Sequence, residues 1–590
     1  MESHSLQTPR PMRSNSHPLS VIMGWVAFGL LLLKFACYGY AQSPADLVVL
    51  NANVVTCDDQ LRRVEAVAIR NGHFVAVGSN ADVRRTMGTE TTVVDAAGQT
   101  ITPGLIDSHL HFVGLGESLQ MLNLSQARSW EAIVRQVESA AKQTPAGDWI
   151  EGRGWHQSKW SVEPTENIDG YPVHTSMSRV TETHPIILAH ASGHACFANA
   201  AAMKLAGIDR DTPDPPGGQI VRDAEGDAIG IFLENAQSHI YRAKAKADRQ
   251  VPIADRQARL SEQIRLAGEA CLRYGITSVH DAGCSFELAE KLRQLADAGQ
   301  LQVRMLVMIR ASSRELEGRL AAARTEQAGN GFLSVRSVKV SIDGALGAHG
   351  AWLLQPYDDL PGSVGFNTVA IDELERIAEM CKANQWQLCV HAIGDQANRE
   401  VLDTYERVLG ADAGNDHRWR VEHAQHLSVE DIPRFGKLGV IPAMQANHCT
   451  SDAPFVLQRL GERRSSEGAY VWRSLIDSCA IVANGTDAPV ESIDPRVSLY
   501  ASVTRQLSDG SQFFPEQCMT RQEALLSYTR WAARAGFQDQ YIGSIEIGKR
   551  ADFVLWDTDL LNCAAEELLT ANTLRVWLDG KERTVTPLAK

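Results

Sequence analysis

The stretch Ile101-Thr-Pro-Gly-Leu-Ile-Asp-Ser-His-Leu-His-Phe112 decides the fold prediction. Pro103-Gly104 predicts a turn, and Leu105-Ile106 is typical of the start of a strand that is buried on both faces. Because alternate residues of a strand point to the same side, His109 and His111 are expected to project together. Two imidazoles at the end of an apolar strand suit a divalent metal. A lone His-X-His motif also occurs as two unrelated polar residues that leave a strand.

The region 101–542 alternates short apolar runs with amphipathic runs. This alternation predicts an α/β fold, a parallel (β/α)8 TIM barrel. A doubly wound sheet is the alternative, but no Gly-X-Gly-X-X-Gly motif opens a helix. The candidate strands are 186–190, 276–280, 303–309, 335–342, 387–391, 418–423, 439–442 and 480–484, and candidate helices include 260–273, 287–298 and 371–383.

Both ends of this region are flanked by short strand patterns. Asn71-Gly72 is a strong hairpin turn, and Gly548 marks a turn near the other end of the chain. We therefore predict one small β-sandwich domain that is built from both chain ends, with the barrel inserted between them. The predicted boundaries are 45–100 plus 543–590 for the sandwich, 101–542 for the catalytic barrel, and about 150–240 for a cover segment over the site.

The first 41 residues have the layout of a secretory signal peptide. Arg10 and Arg13 precede an apolar run over 21–33, and small residues lead to a cut after Ala41. We therefore expect residues 1–41 to be removed and the protein to be exported, either to the periplasm or as a secreted protein. The run is shorter than the roughly 20 residues of a transmembrane helix, and an uncleaved anchor over residues 21–41 is the alternative.

Charge and cysteine spacing exclude two classes of function. The formal net charge is -14, so no basic surplus is present to neutralise nucleic-acid phosphates. The 11 cysteines form no Cys-X-X-Cys motif, which argues against a thiolate zinc module or a thioredoxin-like site.

Four further polar residues lie at predicted strand ends: Lys339, His391, His423 and Asp487. In an α/β barrel the carboxyl ends of the strands converge on one face. Imidazoles and a carboxylate suit zinc, and a deprotonated lysine can react with carbon dioxide to form a carbamate that bridges two cations. Each residue also has an ordinary alternative, such as pairing with Asp343 for Lys339, hydrogen bonding in the core for the histidines, and turn formation for Asp487.

These motifs together resemble the amidohydrolase superfamily of metal-dependent hydrolases, from about residue 45 to the C-terminus. The resemblance is strongest to the YtcJ-like branch of amidohydrolase family 3, which includes N-substituted formamide deformylase. The motifs that carry it are 103–111, 275–283, 339–344, 391–398, 422–425, 485–490 and 543–555.

The resemblance implies one or two divalent metal ions, with zinc expected. It assigns His109 and His111 to the more buried metal, His391 and His423 to the second metal, a bridging carboxylated form to Lys339, and metal binding with proton transfer to Asp487. Asp487 is thus the predicted catalytic residue.

The implied activity is hydrolysis of a non-peptide carbon–nitrogen bond, an N-formyl or other amide, by hydroxide generated at the metal. A ring aminohydrolase with the same metal set is one alternative. A catalytically silent binding or regulatory protein is another, although the complete ligand set argues against it. The expected partner is a small amide-like molecule, and a homodimer stays open.

Three residues are candidates for contacting the substrate: His194, Asp343 and His349. Loop packing or turn bonding is the equal alternative for each of them. Trp155 is expected to pack in the core or to form a pocket wall.

Overall fold

The computed structural model describes residues 43–157, 160–191, 193 and 195–585. At its centre lie eight parallel strands, which we number in chain order. They are β1 (Leu105–Leu110), β2 (Ile276–Cys284), β3 (Arg304–Ile309), β4 (Leu333–Ser341), β5 (Gln387–Ala392), β6 (Arg420–His423), β7 (Ile441–Met444) and β8 (Ala483–Asn484).

The eight strands form a nearly closed barrel. Each strand pairs with the next in chain order. Beyond β8, the backbone N–H of Asp487 donates to the carbonyl of His109 at 2.7 Å, and the N–H of His111 donates to the carbonyl of Ala488 at 2.8 Å. These two bonds join the segment after β8 to β1. The predicted α/β barrel is confirmed, and the carboxyl ends of its strands lie on one face.

Helices surround the barrel and bury their apolar sides against its strands. The predicted helix 371–383 is present with the same bounds, whereas the predicted helix 260–273 begins earlier, at Ile253. The helices are Phe112–Ser118, Ile253–Arg273, Phe286–Asp297, Ser313–Leu316, Leu320–Ala323, Ile371–Ala383, Asp395–Leu409, Ile432–Leu438, Ala446–Gly468, Trp472–Asp477, Pro495–Thr504, Arg521–Ser527 and Arg530–Ala535.

Two further sheets lie outside the barrel, and the second of them contains strands from both ends of the described chain. Strand Thr100–Pro103 pairs antiparallel with Phe553–Trp556, and an apolar core that includes Val54, Ile69 and Trp577 lies between the sheets. The first sheet contains Leu47–Leu50, Ala66–Arg70, His73–Gly78 and Thr92–Asp95, and the second contains Asn53–Val55, Arg63–Val64, Thr100–Pro103, Phe553–Trp556, Thr573–Leu578 and Lys581–Arg583.

A separate six-stranded sheet is inserted between β1 and β2. It begins at Leu122–Asn123, earlier than the predicted start near residue 150, because a two-residue strand shows no periodicity in the sequence. The predicted strand Ile186–His190 belongs to this sheet and not to the barrel. The strands are Leu122–Asn123, Ile150–Trp155, Ile186–His190, Ala195–Ala198, Gly218–Arg222 and Ala228–Glu234, and the helices are Trp130–Ala141, Thr175–Ser178, Ala200–Ala206 and Gln237–Asp248.

Trp155 lies in the core of this inserted sheet. Its side chain is fully buried, and its indole N–H donates to the carbonyl of Leu188 at 2.8 Å. This placement agrees with a packing role.

The predicted signal peptide or anchor, residues 1–41, lies outside the described residues. Within the described part of the chain, no helix has the length and apolar character needed to cross a membrane.

Candidate metal centre

Three buried side chains meet at the carboxyl-terminal face of the barrel. His109 comes from β1, His423 from the end of β6, and Asp487 from the segment after β8. One ligand atom from each of the three lies within 4.8 Å of the others. We call these three residues the His-His-Asp cluster. Strands far apart in sequence bring them together because their carboxyl ends share one face.

Two atoms of the cluster are buried without a hydrogen-bond partner among the described residues. They are Nε2 of His109 and Oδ1 of Asp487, and they lie 3.6 Å apart. Leaving buried polar atoms unpaired costs free energy, about 1–3 kcal/mol each. A divalent cation between an imidazole nitrogen and a carboxylate oxygen would satisfy both. The donor set therefore fits a metal.

Hydrogen bonds on the far side of each imidazole determine which nitrogen faces the cluster. Nδ1 of His109 donates to the carboxylate of Glu422. Nδ1 of His423 donates to Oε1 of Gln445 at 2.7 Å, because the amide nitrogen of Gln445 is used to donate to Ala443. The Nε2 atoms of both histidines are thereby available as ligands, as is usual for metal-binding histidines.

Glu422 is held by a buried arginine. Its Oε1 lies 2.7 Å from Nε of Arg420, and both side chains are fully buried. Burial raises the pKa of Glu422, but Arg420 and His109 outweigh burial and bring that pKa down to about 2. No role was predicted for Glu422 from the sequence. The sequence did contain a signal, an arginine and a glutamate two residues apart in a buried strand. Charged residues in such a position are normally paired, so this pattern indicates a buried ion pair.

The protonation states also suit a metal. Burial lowers the pKa of His109 to about 4 and holds that of His423 well below its ordinary value. Burial raises the pKa of Asp487, but the adjacent imidazoles of His111 and His448 outweigh it and hold that pKa well below the usual range. At neutral pH the cluster thus consists of two neutral imidazoles and one carboxylate.

Two more histidines contact Asp487. Nε2 of His111 lies 3.4 Å from Oδ1, and Nε2 of His448 lies 3.3 Å from Oδ2. The His111 side chain is 34% exposed, whereas that of His109 is fully buried, so the site opens on the side of His111. His448 was not predicted as a site residue because it lies near the start of the helix Ala446–Gly468 and not at a strand end.

Lys339 and His391 border the cluster. The His391 ring lies 4.5 Å from that of His423. The buried Nζ of Lys339 donates to the carbonyl of Ala282 at 3.5 Å. Burial lowers the pKa of Lys339 to about 8, and the carboxylate of Glu422 opposes this shift. Their roles as ligands stay predictions.

The candidate substrate residues lie in different surroundings. The carboxylate of Asp343 accepts backbone N–H groups from Trp352, Ile393 and Gly394, and Nε2 of His349 lies 3.1 Å from Oδ1 of Asp359. Oδ1 of Asp343 also lies 3.4 Å from Nε2 of His391, and the roles of Asp343 and His349 as substrate residues stay predictions. His194 lies outside the described residues.

Residues 92–583 match the model of the amidohydrolase family. The chain belongs to that family. Its resemblance to the formamide deformylase branch is also supported, since this amidohydrolase is 28% identical to an N-substituted formamide deformylase of Arthrobacter pascens over 91% of this chain and 97% of that protein. It is 31% identical to Protein LONG AFTER FAR-RED 3 of Arabidopsis thaliana over 91% of each chain.

A solved structure supports the same assignment. An uncharacterized metal-dependent hydrolase from Pyrococcus horikoshii OT3 superposes with a TM-score of 0.71 at 25% identity, covering 88% of this amidohydrolase and 99% of that chain. The fold is that of metal-dependent hydrolases.

Proposed function

We propose that this amidohydrolase hydrolyses a non-peptide carbon–nitrogen bond in a small amide, with an N-formyl amide as the first substrate to test. The observation that carries the proposal is the convergence of two unpartnered buried atoms, Nε2 of His109 and Oδ1 of Asp487, beside His423. The relative named N-substituted formamide deformylase supports the choice of bond.

The cluster residues His109, His423 and Asp487 would hold one divalent ion, with zinc expected. His111, His391 and Lys339 lie around them and would complete a one- or two-metal site. When bound, such an ion lowers the pKa of a water molecule and polarises an amide carbonyl.

Asp487 is the residue placed to move the proton. Its carboxylate is ionised at neutral pH, which suits a general base, and His448 holds Oδ2 at 3.3 Å. The carboxylate would accept a proton from the attacking water and then donate it to the leaving amine nitrogen. His111, the exposed member of the set, lies where the substrate would enter.

We also propose that Lys339 is carboxylated. A pKa of about 8 leaves about a tenth of its amine neutral at pH 7. The neutral amine adds to carbon dioxide, forms a carbon–nitrogen bond and releases one proton, which gives a carbamate. Native mass spectrometry would show the added mass of one carbon dioxide, and Lys339→Met would abolish it.

Export remains a proposal of its own. A basic start, a short apolar run and small residues before Ala41 support a cleaved signal. N-terminal sequencing of protein recovered outside the cytoplasm should begin at Gln42. Recovery of an intact chain in the membrane fraction would favour the anchor instead.

The function is tested with metal-loaded protein on a panel of formamides, other amides and ring amines. We expect formate or another acid together with an amine, and release of ammonia from ring amines alone would favour the deaminase alternative. Asp487→Asn should lower kcat/KM by about 10²–10⁴-fold with unchanged circular dichroism. The matched control is Asp227→Asn, an exposed aspartate in the turn before the strand Ala228–Glu234.

A further inference from the structure

Arg153 connects the inserted sheet to the segment that carries Asp487. It lies on the strand Ile150–Trp155. Its Nε donates to the carbonyl of Pro489 at 3.1 Å, and its Nη2 donates to the carbonyl of Ala191 at 3.4 Å. Among the described residues its Nη1 makes no hydrogen bond.

The guanidinium of Arg153 has no carboxylate within ion-pair distance in the described part of the chain. Glu151, two residues away on the same strand, is already paired, since Nζ of Lys244 lies 3.1 Å from Glu151 and 2.7 Å from Asp248. Asp248 also faces Arg259 at 3.4 Å. A positive charge that is withdrawn from water without an anion is costly. Arginine stays protonated in such a position, so the charge is available for a ligand.

Arg153 also lies beside the opening of the metal centre. Pro489 packs close to His111, since a Cβ built on Gly114 would lie 3.4 Å from Cβ of His111 and 3.7 Å from Cδ of Pro489. Arg153 is also near enough to Asp487 for the two charges to interact. His111 marks the open side of the site, and Arg153 is hydrogen-bonded to Pro489, two residues after Asp487.

We infer that Arg153 binds a carboxylate of the substrate, and that the substrate is therefore an amide that carries a carboxylate, such as an N-acylated amino acid. This inference rests on the proposed function. Nη1 and the weakly bonded Nη2 present a planar edge that matches a carboxylate with two parallel hydrogen bonds.

The competing explanation is that Arg153 only clamps the inserted sheet to the loop at Pro489. The two explanations are separated with N-formylphenylalanine and N-formyl-2-phenylethylamine, which differ by one carboxylate. The variants are Arg153→Gln and Arg153→Lys. The matched control is Arg222→Gln, an arginine of the same sheet that also donates to backbone carbonyls.

We expect the wild-type protein to prefer the carboxylate probe by at least about tenfold in kcat/KM. Arg153→Gln should lose about 10–100-fold more on that probe than on the neutral probe, and Arg153→Lys should recover part of the difference. Equal losses on both probes, or a wild-type preference for the neutral probe, would overturn the inference.

Binding of both probes is measured in parallel by calorimetry, because it does not depend on turnover. If neither probe is hydrolysed but the carboxylate probe binds and Arg153→Gln removes that binding, the proposed function fails. The inference that Arg153 binds a carboxylate then still stands. If the carboxylate probe binds no better than the neutral probe, or binds equally well to Arg153→Gln, the inference that Arg153 binds a carboxylate is wrong.

Discussion

At the scale of single residues, the environment of His109 explains how this barrel prepares a ligand. A buried imidazole exposes the correct nitrogen only when its other nitrogen is fixed. Here Glu422 fixes it, and Arg420 keeps Glu422 ionised. None of these partners is adjacent to His109 in the sequence.

Glu422→Gln tests this arrangement. The substitution keeps the shape of the side chain but removes the charge that orients His109 and neutralises the buried Arg420. We expect metal affinity to fall by about 10–100-fold and the free energy of unfolding to fall by about 3–5 kcal/mol. Metal titration against a competing chelator and urea unfolding measure the two effects.

The control for that variant is Glu582→Gln, which breaks the partly exposed pair with Arg575. It should change the free energy of unfolding by less than about 0.5 kcal/mol. Wild-type metal affinity in Glu422→Gln would show that Glu422 does not orient the ligand.

Acid sensitivity is expected from another buried histidine. Burial lowers the pKa of His426 to about 3, so the folded state binds fewer protons than the unfolded state below the ordinary value near 6.5. The contribution of neutral His426 to the free energy of unfolding is present above pH 6.5 and is lost as the pH falls toward 3. The titration of His426 alone should lower the free energy of unfolding by about 2 kcal/mol as the pH falls from about 7 to about 5.

Urea unfolding of the wild type and of His426→Leu at several pH values tests this expectation. The variant should lose stability less steeply as the pH falls. Parallel pH profiles for the two proteins would contradict the assignment of His426 as a buried neutral histidine.

Much of the centre could be predicted from residue types at strand ends, because parallel strands bring those ends together. His109, His423 and Asp487 do meet in this way. His448 and Gln445 could not be predicted, because their contacts depend on where the chain after β7 packs. The pairing of Lys339 with Asp343 was an open alternative, and the structure instead shows Asp343 accepting three backbone N–H groups.

At the scale of elements, the closure between β1 and the segment after β8 determines the geometry of the cluster. Gly485 allows this contact. A Cβ at residue 485 would lie 2.6 Å from the backbone nitrogen of His109 and 2.7 Å from Oδ1 of Asp107. No ordinary Cβ fits at such distances, so the two segments would have to move apart.

Gly485→Ala should therefore lower kcat/KM by about 100-fold, although no functional atom is removed, because small displacements of catalytic groups are costly. Metal affinity should fall with it. Gly362→Ala is the control, since a Cβ there meets nothing within 4 Å. Activity within a few-fold of wild type in Gly485→Ala would show that the closure tolerates displacement.

Sequence periodicity identified individual helices and strands better than it identified the sheet to which each strand belongs. The helix Ile371–Ala383 has a regular apolar stripe and was predicted with its observed bounds. The strand Ile186–His190 was identified as a strand, but its five buried residues resemble a barrel strand. Which sheet it joins depends on pairing with Ile150–Trp155, which periodicity does not encode.

At the scale of the molecule, a buried ion-pair network joins the barrel to the sheet that contains strands from both chain ends. Nε of Arg304, on β3, lies 2.6 Å from Asp552, and its Nη2 lies 2.6 Å from Asp579. Both aspartates belong to the C-terminal part of the chain. The network explains how the far end of the sequence contributes to barrel stability.

Arg304→Met should reduce the free energy of unfolding by about 3–5 kcal/mol, because it leaves two aspartates close together without their shared cation. Urea unfolding measures the loss. Arg210→Met, which breaks an exposed pair with Asp227, should cost less than about 1 kcal/mol. Equal effects of the two variants would contradict a structural role for the Arg304 network.

The most direct test of the central claim is the metal content per chain of the purified protein, measured by elemental analysis after incubation with zinc and removal of the excess. We expect one or two equivalents in the wild type and in His417→Gln, a histidine outside the cluster, and less than about a tenth of an equivalent in a His109→Gln, His423→Gln double variant. A folded wild-type protein that takes up no metal, or a double variant that binds as much as the wild type, would contradict the metal centre.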